Sequence, residues 1–429
     1  MKSSAVYNVA IAGFGTVGQA VARILCQRRA QSLRLTHIFN RAVARRKVDW
    51  VPADVVWTEC IDDLFAPGVD LFVEVIGGLS SAAEWIGRAL EAGKSVVTAN
   101  KQVIAECGPE LARLARQKRC HLAFEAAVAG GIPVVRSLQE GLSGDRLIRI
   151  LGILNGTCNY ILTRMDAGHV SFTAALGEAK KLGYAEADPA ADVDGLDAQA
   201  KLAILSAVGL RRQICANDIP LRSIAPIEPI DFVYARRLEC TIRQVSRAEL
   251  DLEMGERVLA SVQPALVPLS SALARVEGSQ NVVVVEGEFG GETAFSGFGA
   301  GGHPTAVAIV SDLLAIARGG PCPASLLIEA GPSREVVRDF VSPHYLRFIV
   351  ADRPGIIAAL ADVFSRHGVN VDAVLQEPGW SKAELPFVVT LEACSASALT
   401  RALHEVEAFD FHVRPPLWLP VLAKGERRS

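Results

Sequence analysis

Five carboxylates fall within twelve residues, Glu186, Asp188, Asp192, Asp194 and Asp197, and the chain then enters an apolar stretch interrupted by one cation, Lys201. An acidic wall suits a substrate that carries an ammonium group. A lysine beside it is a candidate for acid–base work. Asp197 and Lys201 stand four residues apart, which puts both on one helix face, and Leu205 and Val208 continue that face. The plain alternative is a helix pair contributing about 0.3–0.5 kcal/mol. Asp188 precedes Pro189, where it shapes a turn, and Asp192 or Asp194 suits a cap on the helix that carries Lys201.

A second constellation opens the chain. Gly13, Gly15 and Gly18 have G-x-G-x-x-G spacing, directly after an apolar strand and at the start of a helix. Gly13 permits a tight turn, Gly15 admits a pyrophosphate, and Gly18 lets helix and strand pack closely. The cofactor loop then comprises Gly13, Phe14, Gly15, Thr16, Val17 and Gly18, whose helix N-terminus offers free N–H donors to phosphates. An NAD site carries an acid about 20 residues further on. This chain has Asn40 and Arg41 there, followed by Arg45, Arg46 and Lys47. A guanidinium suits a ribose 2′-phosphate, so NADP(H) is favoured over NAD(H), the alternative being a solvated basic loop. "EVIGG" (Glu74–Gly78) and "TANKQ" (Thr98–Gln102) end later strands. Ligands gather at such carboxyl ends, which puts Gly77, Thr98 and Lys101 within reach of cofactor or substrate.

Three bodies are needed to position these groups. Apolar strand-like runs at Val6–Phe14, Leu33–Asn40, Leu71–Gly77, Ser95–Asn100 and His121–Val128 alternate with helical patterns such as Ser81–Gly93, which predicts a Rossmann-type parallel sheet over residues 1–129. Residues 130–302 read as an α+β domain, starting with a helix at Pro133 and including helices near Thr157–Ala167 and Phe172–Leu182. The pattern 303–319 returns a helix to the first domain, and the Pro/Gly-rich segment 320–343 reads as a linker. Residues 344–429 follow the order βαββαβ, a ferredoxin-like unit.

Composition narrows the class of function. A chain of 429 residues suggests about three domains. Forty-four basic and 47 acidic residues give a net charge of −3, with no footprint for nucleic acid or an anionic membrane surface. No apolar run approaches the ~20 residues that span a bilayer, and the chain start has no cleavable signal pattern. Nine scattered cysteines, without a C-x-x-C pair, suit a reducing cytoplasm and speak against a structural zinc site.

The stretches "AGFGTVG", "EVIGG", "TANK", "FEAAVAGGIPVV", "GILNGTCNYILTRM", "GYAEADPAADVDGLDAQAK" and "GAGGHPTA" together resemble homoserine dehydrogenase, in that family's order, from Gly13 to about Ala306. The segment "DRPGIIAALADVFSRHGVNVDAV" looks like an ACT domain, a module that binds amino-acid regulators. The resemblance implies reduction of L-aspartate 4-semialdehyde to L-homoserine, or the reverse, in threonine, methionine and isoleucine biosynthesis. It implies a homo-oligomer, dimer or tetramer, built through the middle domain. It carries substrate binding and proton handling onto Glu186, Asp197 and Lys201, with Lys101 as a second lysine of the site. Thr157, near the N-terminus of a helix, and Tyr184 join the substrate site, and Gly301 the nicotinamide end of the cofactor site. Cys158 stands where the family usually has Thr, which removes a hydroxyl. A monovalent cation, sodium, is implied at Glu125, Val128, Gly130 and Ile132, in a structural role. Threonine is the implied effector, although "FVVTLEA" lacks the histidine that often accompanies it. Two rivals remain at this point: a nicotinamide oxidoreductase acting on another amino-acid aldehyde or ketone, and a non-catalytic amino-acid sensor.

Overall fold

The computed structural model describes residues 6–27, 32–251 and 257–422; Met1–Ala5, part of the stretch read for a signal pattern, lie outside them. Strand Tyr7–Ala12 is apolar and, towards its end, fully buried, as an interior strand of a sheet covered on both faces must be. It belongs to a six-stranded sheet in the order Val56–Thr58, Leu33–Phe39, Tyr7–Ala12, Leu71–Glu74, Ser95–Thr98, Leu122–Ala123. Every pairing in it is parallel. The strand order reverses beside Tyr7–Ala12, and a ligand crevice forms at that switch point. A Cβ on Gly13 would lie 2.6 Å from the Val75 carbonyl oxygen, and one on Gly18 would lie 2.0 Å from that of Gly13. Only glycine lets the turn and helix Thr16–Gln27 press so closely on the sheet. Helix Gly302–Ala317 does return to this domain: a Cβ on Gly302 would stand 2.8 Å from Thr16 Cγ2.

The strand expected over His121–Val128 is only Leu122–Ala123, followed by the turn Glu125–Ala127. The Glu125 carboxylate explains the early stop. It accepts the backbone N–H groups of Val135 and Arg136 at 2.8 and 2.9 Å, which forces the chain to double back. The helix predicted from Pro133 is a short α-turn, Val134–Arg136, widened into a π-turn over Ser137–Gly141.

The middle domain is a second six-stranded sheet, in the order Gly291–Phe298, Gln280–Gly287, Leu147–Ile153, Cys240–Leu250, Val258–Pro268, Val336–Val337. It is antiparallel except at its last pair. The segment 320–343 is not a free tether. Leu326, Leu327 and Ala330 are buried, helix Ala324–Glu329 packs on helix Lys101–Lys118, and Val336–Val337 joins the sheet.

The C-terminal domain has strands Val341–Val350, Val371–Gln376, Leu385–Ser395 and His412–Pro420, with helices Ile356–Arg366 and Ala396–Val406, in the predicted βαββαβ order. Its sheet is antiparallel, with the second strand at one edge and the fourth at the other. Residues of strand Val341–Val350 alternate in destination. Leu346, Phe348 and Val350 meet the domain's own helices, while Tyr345 joins a core with Ile227, Phe232 and Tyr234 of the middle domain. Arg347, also on that second face, is buried and pairs with Asp231 at 3.0 Å and Glu228 at 3.1 Å. Among the described residues no helix is long and apolar enough to cross a membrane.

Candidate active site

Lys101 opens helix Lys101–Lys118, just past the carboxyl end of strand Ser95–Thr98, and the Asn100 side chain caps that helix by accepting Val103 N–H. Asp197 and Lys201 lie on helix Leu196–Leu205 of the middle domain, as their spacing predicted. That helix begins at Gly195, whose φ of 92° suits glycine, so neither Asp192 nor Asp194 caps it. The two domains meet at one carboxylate. Asp197 Oδ2 is 2.7 Å from Lys201 Nζ, and Asp197 Oδ1 is 3.0 Å from Lys101 Nζ. Burial alone would raise the Asp197 pKa, but Lys201 and Lys101 outweigh it and hold the carboxyl well below its ordinary range. Lys201 is 9% exposed and spends a second N–H on the Leu154 carbonyl at 2.8 Å. An ammonium has three donors, so one remains for an oxygen of a bound molecule.

Asn155, which the sequence reading did not single out, organises this cluster. Its Nδ2 donates to Asp197 at 2.9 Å and to Asp192 at 2.7 Å, and its Oδ1 caps helix Gly156–Gly168 by accepting Cys158 N–H. Asn155, and not Thr157, is therefore the cap of that helix. Asn at the strand-to-helix step in "NGT" was the available signal. The Thr157 hydroxyl donates instead to the Tyr184 carbonyl at 2.7 Å, and the Tyr184 ring lies 4.8 Å from that of Tyr160. Glu186 is exposed, and no hydrogen bond or ion pair joins it to the lysine cluster. Asp188 shapes a turn by accepting Ala190 N–H. Cys158 is fully buried and its thiol faces the Asp192 carbonyl; burial drives its pKa up, away from any nucleophilic role.

On the cofactor side, Gly15 and Thr16 are exposed, and no atom lies within 4 Å of a Cβ built on Gly15. Packing does not ask for glycine there, whereas close approach by a pyrophosphate does. Val17 is partly buried, and Phe14 is fully buried, its ring against Trp57 and its carbonyl accepting from Gln19 Nε2 at 3.3 Å. A second overlooked residue, Glu74, is fully buried and accepts Ile76 N–H at 2.8 Å, Gly77 N–H at 3.3 Å and the Thr98 hydroxyl at 2.5 Å. It locks two strand ends together. Thr98 is buried in that lock, while Gly77 is exposed. Asn40 accepts Ala42 N–H, and Arg41 is exposed beside it. Glu59, the carboxylate that reaches this loop, is engaged by Val43 N–H. Gly301, at φ 113°, precedes the return helix.

Residues 128–132 form a tight loop in which Ala129 and Gly130 both have positive φ, and a Cβ on Gly130 would lie 2.4 Å from the Gly299 carbonyl oxygen. Val128 and Gly130 are buried, and their carbonyls accept no hydrogen bond among the described residues, whereas that of Ile132 accepts Val134 N–H. Glu125 keeps its carboxylate on the Val135 and Arg136 amides, and its backbone carbonyl accepts Val128 N–H at 3.4 Å. Among the described residues no His, Cys, Asp and Glu cluster suits a metal ion.

Family models match the chain in three blocks: homoserine dehydrogenase NAD binding domain over residues 13–125, homoserine dehydrogenase over 133–314, and ACT domain over 344–408. A homoserine dehydrogenase of Mycobacterium tuberculosis is 40% identical over 424 residues, 94% of this chain and 95% of its own. The crystal structure of a homoserine dehydrogenase from Thiobacillus denitrificans superposes with a TM-score of 0.88 at 30% identity, covering 97% of this chain and 98% of that one. A hyperthermophilic archaeal homoserine dehydrogenase in complex with NADPH superposes with a TM-score of 0.63 at 28% identity, covering 74% of this chain and 99% of that one.

Proposed function

The chain belongs to the homoserine dehydrogenase family of oxidoreductases, and on that premise we propose that it interconverts L-aspartate 4-semialdehyde and L-homoserine with NADP(H), in the supply of threonine, methionine and isoleucine. The observation that carries the reading is the sharing of Asp197 between Lys201 and Lys101 at the mouth of the nucleotide crevice. A bound nicotinamide supplies or accepts the hydride. The chain does the rest. Lys201 turns its free N–H to the aldehyde oxygen and gives up a proton as that oxygen becomes an alkoxide. Asp197 keeps the ammonium fixed, and Lys101 adds a second positive charge. Glu186, without a partner among the described residues, receives the substrate ammonium, and the N–H groups near Thr157 receive its carboxylate beside Tyr184. Oxidation of NADPH with aspartate semialdehyde tests the whole; no turnover with that aldehyde excludes it.

The NADP(H) choice rests on exposed Arg41 and on the lack of an acid at Asn40. A strong NADH preference in Michaelis constants refutes it. The free carbonyls of Val128 and Gly130, with those of Glu125 and Ile132, support a sodium ion in a structural role. Sodium is then expected to raise the melting temperature more than an equal concentration of tetramethylammonium. At the ACT domain a cavity of about 220 Å³ lies between Asp352, Arg353, Gly355 and Gln376, room for an amino-acid effector such as threonine. An enzyme unresponsive to L-threonine removes that effector. A dimer or tetramer through the middle domain is supported by edge strand Gly291–Phe298, where Phe298 is 58% exposed. Nine free thiols suit a cytoplasmic setting.

A further inference from the structure

We propose that the cavity between the middle-domain sheet and the ACT domain binds a small organic anion with a doubly charged head, a phosphate monoester or a dicarboxylate. The cavity encloses about 460 Å³, within the roughly 300–1,000 Å³ typical of small-molecule sites. Three guanidinium groups line it: Arg222 from the middle domain, Arg338 from the connecting segment and Arg401 from helix Ala396–Val406. None of the three has an ion-pair partner among the described residues. The lining carboxylate, Asp339, has both oxygens occupied, one by Ser397 N–H at 2.9 Å and one by the Ser397 hydroxyl at 2.7 Å. The wall therefore keeps an excess of two positive charges.

Arg222 is the most telling of the three. Its guanidinium carbon stands 3.5 Å from the centre of the Trp418 ring, so its face is spent on the indole and its N–H edges stay open. The ring is itself anchored, since Trp418 Nε1 donates to His344 Nδ1 at 3.0 Å. Burial pulls the Arg222 pKa down to about 10. A cation drawn out of water without a counterion is where an incoming anion gains most, and a planar fork matches carboxylate or phosphate oxygens. Ser261 and Gln263 add polar groups on an otherwise apolar, buried strand. An occupant would touch the ACT domain, the connecting segment and residues 220–222 at once. That last segment is tied to the catalytic helix, because Gln199, two residues past Asp197, donates to the Ile219 carbonyl at 2.8 Å.

Titration calorimetry on the full chain tests the site, with inorganic phosphate and succinate as separate probes. Saturable binding of either probe is expected, weakened at least ~10-fold in Arg338→Gln/Arg401→Gln and unchanged in Arg41→Gln, which reports on the nucleotide crevice. Phosphate alone identifies a phosphate monoester, succinate alone a dicarboxylate, and both mean that charge dominates. Binding of neither probe overturns the proposal. So does binding that survives the double substitution or is lost in Arg41→Gln. A change of oligomeric mass in the double variant by light scattering also overturns it, since the arginines would then belong to a subunit seam.

Discussion

Asp197 and Asp231 are both carboxylates drawn largely out of water, one in the crevice proposed as the active site and one at the seam between the middle and ACT domains, and their surroundings push them in opposite directions. Burial raises both. At Asp197 two ammonium groups reverse the effect, so the carboxylate stays charged and in turn fixes Lys201 and Lys101. At Asp231 a single guanidinium, Arg347, works against complete burial and against the like charge of Glu228, and the pKa ends above the usual carboxylate range. The Tyr345 hydroxyl, at 2.8 Å, and Glu228 N–H complete its donors. The difference is one of purpose. At the seam both Asp231 oxygens are paired, whereas the crevice keeps one Lys201 donor in reserve, which is what a reaction needs and a structural joint does not.

The strongest way to break this comparison is at the seam. Arg347→Met leaves Asp231 buried without its cation and is expected to cost about 3–5 kcal/mol of stability, measured by denaturant unfolding. Arg347→Met combined with Asp231→Leu should recover most of it, since an apolar pair needs no compensation. Failure of the double variant to recover would mean that the seam pair is more than a joint.

Next is a pH effect on the same seam. His344 is held neutral, accepting from Trp418 and facing the Cys394 carbonyl at 3.2 Å, and burial lowers its pKa from 6.5 to about 4. A lowered folded-state pKa adds stability that is whole above pH 6.5 and is lost as pH falls towards 4. The loss is about 3 kcal/mol. His344→Gln should flatten that slope in unfolding measured across pH 4–7; an unchanged slope removes His344 as its cause. Asp197, held low by its lysines, is expected to add no inflection to the rate profile in this window.

At the crevice, Lys201→Ala is expected to lower kcat by at least ~100-fold, about 2.7 kcal/mol of barrier, with the unfolding midpoint of the ACT domain unmoved. Near-normal turnover would exclude Lys201 as proton donor. The smallest effect belongs to Asn155→Ser, which keeps a capping oxygen but loses the amide that steadies Asp197. A fall of ~5-fold in kcat, with the Michaelis constant for the cofactor unchanged, is expected for one hydrogen bond to a charged group. Equal losses in both constants would place Asn155 in general folding rather than in positioning Asp197.

Much of this was legible in the residues. The glycine spacing marked the turn that Gly13 and Gly18 make, and the four-residue step marked the face shared by Asp197 and Lys201. The βαββαβ order of the tail followed from alternating apolar periods. The misses share a cause. Residues His121–Val128 look like a strand, but the Glu125 side chain ends it by reaching the amides of Val135 and Arg136. The segment 320–343 has a linker's composition, yet its few apolar residues find a groove on helix Lys101–Lys118. Asn155 looks like a cap and is also the clamp on Asp197.

What the sequence determined by itself is therefore whatever nearest neighbours encode: turns that only glycine allows, helix faces, strand periods and the inventory of charges. The tertiary structure alone decided that Lys101 of one domain reaches the carboxylate of another, that Arg347 closes on Asp231, and that Arg222, Arg338 and Arg401 converge on one cavity. Such meetings depend on how whole sheets and helices pack, and packing depends on shape and burial summed over distant segments, for which no local spacing carries a code.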